Sequence, residues 1–343
     1  MMTRSITPLV SVITPAFNCE KFLGECIDSV RDQTCLNWEM IVVDDGSSDS
    51  TFDLASSHAE VDSRIKVLIH EGGQNRGVSA SRNLAIDAAR GTYLAFLDAD
   101  DVWLPTKLEE QIAVLDSSRD VAITFAKAQC IGADGKFVRH PDWPNIEWVL
   151  GHAPEAGVVE APFGAFVSAR IGIPMPTVTA RRQAVIDAGK FPLGLRYQVE
   201  DSALWGTMCR RSKLHFEDKV LALYRVHQEN FSSSLDPIET IDAFWELCTL
   251  LLEETESPEP ELVTTMVSCV DRYLTAWGIP IGIRWRRAVS RAAFLSEHGI
   301  VSQARVKSRF LAAPPIGLKK RMMVFIRRLL GIGPLPWKAW MRP

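Results

Sequence analysis

Four short apolar runs, Leu9 to Ile13, Trp38 to Val43, Ile65 to Ile69 and Tyr93 to Leu97, punctuate the first hundred residues at near-even intervals. Each is too short for a helix and lacks a polar alternate position, so it reads as a strand buried on both faces. Between the first two runs, Glu20 to Gln33 carries Phe22, Leu23, Cys26, Ile27 and Val30 at helical spacing. After the second, Gly46 permits a sharp turn, and Ser48 or Asp49 suits the cap of a helix through about Ala59. A flexible polar loop, Gly72 to Gly77, leads into a further helix over Val78 to Ala89. Strands alternating with helices predict a parallel, helix-covered sheet. Right-handed crossovers then bring every strand's carboxyl end to one edge, where open α/β sheets bind ligands.

That edge collects polar loops. Thr14-Pro15-Ala16-Phe17-Asn18 closes the first strand as a turn, Asp44 to Asp49 follows the second, and Asp98-Ala99-Asp100-Asp101 follows the fourth. Three carboxylates within four residues repel one another, and a cation offsets that charge. A single acidic loop is equally compatible with a solvated helix cap before Pro105. Several such loops on one edge point to a nucleotide and metal site.

Further along, Pro105 to Ser117 reads as a helix and Val121 to Phe125 as a strand. Periodicity fades from Gly132 to Pro176, as in a long loop region over a site. Arg181 to Ala188 looks helical, a second helix begins at Glu200-Asp201, and Val220 to Val226 reads as a strand leading to His227. The character changes after Asp236-Pro237, which places a domain boundary near Leu235. Residues 1–235 form the expected catalytic domain, and residues 236–343 a helical, basic extension.

Charge follows the same division. From Pro280 to the end, fourteen Lys and Arg face the single acid Glu297, a balance of +13 that leaves −17 for residues 1–279. At 47% hydrophobic and 23% charged the composition is that of an ordinary soluble protein. Seven scattered cysteines form no Cys-x-x-Cys pair, so neither a disulfide framework nor a thiolate metal site is expected, and a reducing cytoplasm is the natural setting. The N-terminus lacks the build of a signal peptide, and no stretch approaches the roughly 20 apolar residues that span a bilayer.

In order and spacing, four motifs resemble family 2 glycosyltransferases, inverting enzymes with the A-type nucleotide-sugar (GT-A) fold. They are Val10 to Asn18, Ile41 to Thr51, Gly77-Val78-Ser79-Ala80-Ser81-Arg82-Asn83, and Phe96 to Asp101. Arg181-Arg182 through Gly189-Lys190-Phe191, then Glu200 to Trp205, resemble the family's acceptor-side region. The resemblance covers roughly residues 9 to 235. It implies an α/β fold with a mostly parallel nucleotide-diphospho-sugar transferase sheet, helices on both faces, and the C-terminal helical extension appended.

The same resemblance implies site roles. Backbone groups of Thr14, Pro15 and Phe17 hold a uracil edge, and Asp45 accepts a hydrogen bond from base or ribose; Asp44 and Asp45 also suit the start of a turn. Asp98 and Asp100 form an Asp-x-Asp element, with Asp100 binding Mg²⁺ or Mn²⁺ that bridges the diphosphate. Arg82, on the helix starting near Gly77, joins the donor site, where N–H groups and the helix dipole also favour anions. Asp201 matches the catalytic base, with Glu200 either its substitute or an ordinary acid of a helix first turn. His227 stands where some members place a metal ligand. The implied reaction moves a sugar from a nucleotide sugar, UDP-linked, to a glycan or lipid-linked glycan in surface polysaccharide synthesis. A nucleotidyltransferase on a related fold would want a Gly-rich basic loop after the first strand, and Thr14 to Asn18 is neither. A non-catalytic sugar-nucleotide scaffold is opposed by intact Asp98, Asp100 and Asp201.

The basic tail adds a partner class. On a helical wheel Leu318, Met322, Phe325, Ile326 and Leu329 share one arc, with Lys320, Arg321, Arg327 and Arg328 opposite. The pattern suits a helix lying on an anionic membrane surface, or one packed on the acidic domain. No nucleic-acid-binding motif accompanies the charge, so nucleic acid is not an expected partner.

Overall fold

The computed structural model describes residues 7–138, 154–167, 171–194 and 199–227, with Leu247 and Leu251. The chain divides into two units, Met1–Leu247 and Cys248–Pro343, and the fold described here is that of the first. The domain boundary near Leu235, the helices expected beyond Pro237 and the basic Leu318 to Leu330 stretch lie outside the described residues.

In chain order the elements are β1 Val10–Ala16, α1 Leu23–Arg31, β2 Trp38–Asp44, α2 Thr51–Val61, β3 Ile65–Ile69, α3 Val78–Ala88, β4 Tyr93–Phe96, β5 Val102–Trp103, α4 Lys107–Ser117, β6 Val121–Gly132, β7 Gly157–Val159, α5 Pro162–Val167, β8 Thr179–Arg181, α6 Arg182–Asp187, α7 Glu200–Arg211 and β9 Lys213–Val226. The sheet runs β3-β2-β1-β4-β8-β6-β9-β5, with β7 also on β9. β3, β2, β1 and β4 are parallel, as the alternation predicts. From β8 onward the sheet is mixed, because β8 enters antiparallel between β4 and β6 and β5 pairs antiparallel with β9.

Helices cover both faces. Val10, Val12, Met40, Val42, Tyr93 and Ala95 point to one face, where Leu23, Cys26, Ile27 and Val30 of α1 and Leu108, Ile112 and Leu115 of α4 complete the core. Alternation along the strands sends Ile13, Ile41 and Phe96 to the other face. There α3 lies on β1 and β2, and Phe96 meets Phe191 and Trp205 edge-on at 5.6 and 5.5 Å between ring centroids.

Several boundaries move from their expected places. β1 continues through Thr14, Pro15 and Ala16 rather than turning at Thr14. Pro15 is tolerated because β4 pairs with β1 only as far as Ile13, so the missing N–H interrupts no ladder on that side. β6 runs to Gly132, and its second half buries alternate residues beside exposed or half-exposed Lys127 and Gln129. β9 begins at Lys213, with polar Glu217-Asp218-Lys219 in its middle. These residues sit at a bulge, where the partner of β6 jumps from Glu217 to Val220 between Ala126 and Lys127. Arg181 ends β8, and helix α6 starts one residue later.

Candidate active site

Parallel register aligns the ends of β1 and β2, with Ala16 opposite Asp44, and β4 ends beside them. Beyond Ala16, Phe17 is 50% exposed at the rim. Asn18 adopts a left-handed conformation (φ 48°) and stitches the first two loops together. Its N–H donates to Ser47 Oγ at 3.0 Å, and its Oδ1 accepts from the Ser48 N–H at 2.8 Å. Gly46 (φ 75°) lets the next loop come close: a Cβ there would lie 2.8 Å from Asn75 N and 2.9 Å from Gly73 O.

Asp45 is buried and turned toward that loop. One carboxylate oxygen accepts from the Arg76 N–H at 2.7 Å and the other from the Gly77 N–H at 2.9 Å, so the side chain fixes the entrance to α3. His70 Nε2 lies 3.3 Å from the same carboxylate and 2.9 Å from Ser81 Oγ. Asp44 accepts from the Ser47 N–H through one oxygen.

The acid loop follows β4. Asp98 Oδ1 accepts from Arg82 Nη2 at 2.8 Å, and the other arm of that guanidinium, Nη1, donates to Glu200 Oε1 at 3.1 Å. Arg82 is 5% exposed; burial works against its charge, but Asp98 and Glu200 outweigh it and hold the group above its ordinary value. This one arginine joins the donor-side acids to the start of α7. There Asp201, half-buried, has its pKa raised to about 7, first by burial and then by the charge of Glu200, with Arg82 opposing. A carboxylate poised there suits a general base.

Asp100 and His227 converge from different elements, with Asp100 Oδ2 at 3.1 Å from His227 Nε2. The imidazole leans on the Phe22 ring at 4.7 Å between centroids. Asp101 is fully buried and accepts from the Arg225 N–H at 2.8 Å. Burial, then Asp100 and Asp98, raise its pKa well above the usual carboxylate range. Among the described residues, the buried atoms Thr14 Oγ1, Asp44 Oδ1, Arg82 Nε and Asp101 Oδ2 find no hydrogen-bond partner.

Thus Thr14, Pro15, Phe17, Asp45, Arg82, Asp98, Asp100, Asp201 and His227 all gather on one edge. Sequence reasoning missed Arg225, Phe22 and Glu25, and it weighed Glu200 only as a substitute base or a helix-end acid. Arg225 did carry a signal, since it stands two residues before His227 near the end of a strand and the two share a side. Among the described residues no group of three or more His, Cys, Asp or Glu side chains is placed to hold an ion. A divalent cation here would take oxygen from Asp100 and nitrogen from His227, a donor pair suited to Mg²⁺ or Mn²⁺, with its other ligands from phosphate and water.

Comparison with known proteins adds to this geometry. Residues 11–166 match the model of glycosyl transferase family 2. Bacillus subtilis (strain 168) TuaG, named as a teichuronic acid biosynthesis glycosyltransferase, is 40% identical over 139 residues, 39% of this chain and 54% of its own. Escherichia coli WfgD, named as a UDP-Glc:alpha-D-GlcNAc-diphosphoundecaprenol beta-1,3-glucosyltransferase, is 39% identical over 133 residues, 38% of this chain and 51% of its own. The chain thus spans about half the length of these curated relatives. The structure of S. aureus TarS 1–349 in complex with UDP-GlcNAc shares the fold, with a TM-score of 0.64 at 18% identity over 87% of this chain and 83% of that one.

Proposed function

We propose that this protein transfers a sugar, with inversion, from a UDP-linked donor to a hydroxyl of a glycan or lipid-linked glycan during surface polysaccharide synthesis. The observation that carries the reading is the Asp98–Arg82–Glu200 bridge, which sets Asp201 beside the acid loop. Relatives named for teichuronic acid synthesis and for a diphosphoundecaprenol-linked acceptor support the substrate class. Phe17 offers an exposed ring to the nucleoside, and the end of β1, Thr14 to Ala16, stands beside it. Asp45, committed to the Arg76 and Gly77 N–H groups, shapes this pocket and retains lone pairs for the nucleoside.

In the reaction, Asp201 takes the proton of the acceptor hydroxyl as its oxygen attacks the anomeric carbon. The bond from that carbon to the diphosphate breaks on the opposite face, and UDP departs with the electron pair. Asp100 and His227 would hold a Mg²⁺ or Mn²⁺ ion, whose chemistry there would be Lewis-acid neutralisation of the leaving diphosphate. Arg82 keeps Asp98 and Glu200 in place and holds positive charge near the same phosphates. No helix of the described residues is long and apolar enough to cross a membrane, and the basic stretch Lys319 to Arg328 is read as the contact with an anionic membrane surface.

One assay tests both parts: transfer from UDP-glucose or UDP-N-acetylglucosamine to a polyprenyl-diphosphate-linked saccharide held in vesicles. Wild type transfers faster on anionic than on neutral vesicles, and Asp201→Asn binds donor but does not transfer. Full activity of Asp201→Asn removes the assigned base, and equal rates on both vesicle types remove the membrane role.

A further inference from the structure

Arg225 is the least expected charged group in the site. It is 1% exposed, yet it stands directly beneath a loop of three acids. Its contacts point in four directions. The backbone N–H donates to Asp101 Oδ1 at 2.8 Å, Nε to the Asp100 carbonyl at 2.7 Å, Nη1 to the Gly132 carbonyl at 3.2 Å and Nη2 to Glu25 Oε2 at 2.6 Å. The guanidinium also lies over the Phe22 ring, 4.9 Å from its centroid, and Phe22 in turn supports His227. One side chain therefore touches the backbone of Asp100 and the ring that orients His227, while Glu25 on α1 holds its far end.

We propose that Arg225, anchored by Glu25, is the positioning residue that sets Asp100 and His227 at the separation a divalent cation requires. The inference rests on the reading of Asp100 and His227 as metal ligands. A guanidinium suits the task because its planar fork fixes several acceptors at once, which an ammonium on a flexible stem does not. Its guanidinium also approaches the acid loop from below, through the Asp100 carbonyl, and leaves the rim for the metal. Groups that orient metal ligands govern affinity nearly as strongly as the ligands do.

The test is Mn²⁺ binding followed by electron paramagnetic resonance with UDP at saturation, together with thermal melting. Arg225→Lys keeps the charge and loses the fork, and Glu25→Gln, at a side chain 56% exposed, releases the anchor with little risk to folding. The expected result is a Mn²⁺ dissociation constant raised about 10- to 100-fold in Arg225→Lys and by a smaller factor in Glu25→Gln. The melting temperature of Glu25→Gln stays unchanged. If Asp100→Ala loses Mn²⁺ while both variants keep wild-type affinity, the positioning role is overturned and the metal site stands. If Asp100→Ala binds Mn²⁺ like wild type, the metal reading itself fails. Should Arg225→Lys not fold, Glu25→Gln decides alone: unchanged Mn²⁺ affinity there overturns the proposal.

Discussion

Glu200 and Asp201 are neighbours in the chain with different duties. Glu200 spends its charge on Arg82, and that same charge makes Asp201 harder to ionise. A base must be deprotonated to act, so the rate of transfer should climb as pH rises through about 7 and level off above. One unit below that midpoint, about a tenth of the plateau rate remains. Glu200→Gln keeps the side-chain shape and removes the repulsion, so the rising limb should move to lower pH. A pH–rate profile of the two proteins checks this, and an unmoved limb would mean that Glu200 does not tune the base. At this scale the sequence was informative about acids. Asp98 and Asp100 stand out because they close an apolar run at the end of a strand, whereas Asp201 is reached only through the family resemblance. Arg225 did not stand out, because its partners Asp100, Gly132 and Glu25 lie far away in the chain and only folding makes them neighbours.

At the scale of elements, the alternation of fully apolar runs with helical spacing made β1 to β4 and α1 to α3 legible to within a few residues. Periodicity did less well where residues are small or polar. The second half of β6, Ala126 to Gly132, and the middle of β9, Glu217 to Lys219, look like loop until the bulge between them is seen. β8 is three residues long, too short to register any period. The end of the sheet opposite the site is fastened more tightly. Gly91 donates its N–H to Ser11 Oγ, and a Cβ on it would come within 2.5 Å of Ser11 N and 2.8 Å of the Val10 carbonyl carbon. Neither backbone atom can step aside without moving β1. Gly91→Ala should therefore lower the stability measured by urea unfolding by about 1–3 kcal/mol. An unchanged midpoint would show that β1 and the turn before β4 are less closely packed than this.

On the scale of the whole molecule, the chain joins an acidic body to a basic end, with −17 over residues 1–279 and +13 beyond. Under the proposed function, a net-negative body that handles a diphosphate has to offset repulsion locally. Arg82 and Arg225 stand on the two sides of the acid loop, and a divalent cation would complete the balance. The sequence resemblance located this arrangement without its internal supports, because motifs record which residues recur and say nothing of what holds them. The account's central claim is that the acidic edge is a metal-dependent nucleoside diphosphate site. Calorimetric titration of UDP, GDP and CDP in Mn²⁺ and in EDTA, for wild type and Asp100→Ala, tests it most directly. The account predicts that UDP binds in Mn²⁺, that EDTA abolishes or sharply weakens this binding, and that Asp100→Ala loses it. Folded wild-type protein that bound none of the three nucleotides, or that bound UDP equally in EDTA and after Asp100→Ala, would contradict it.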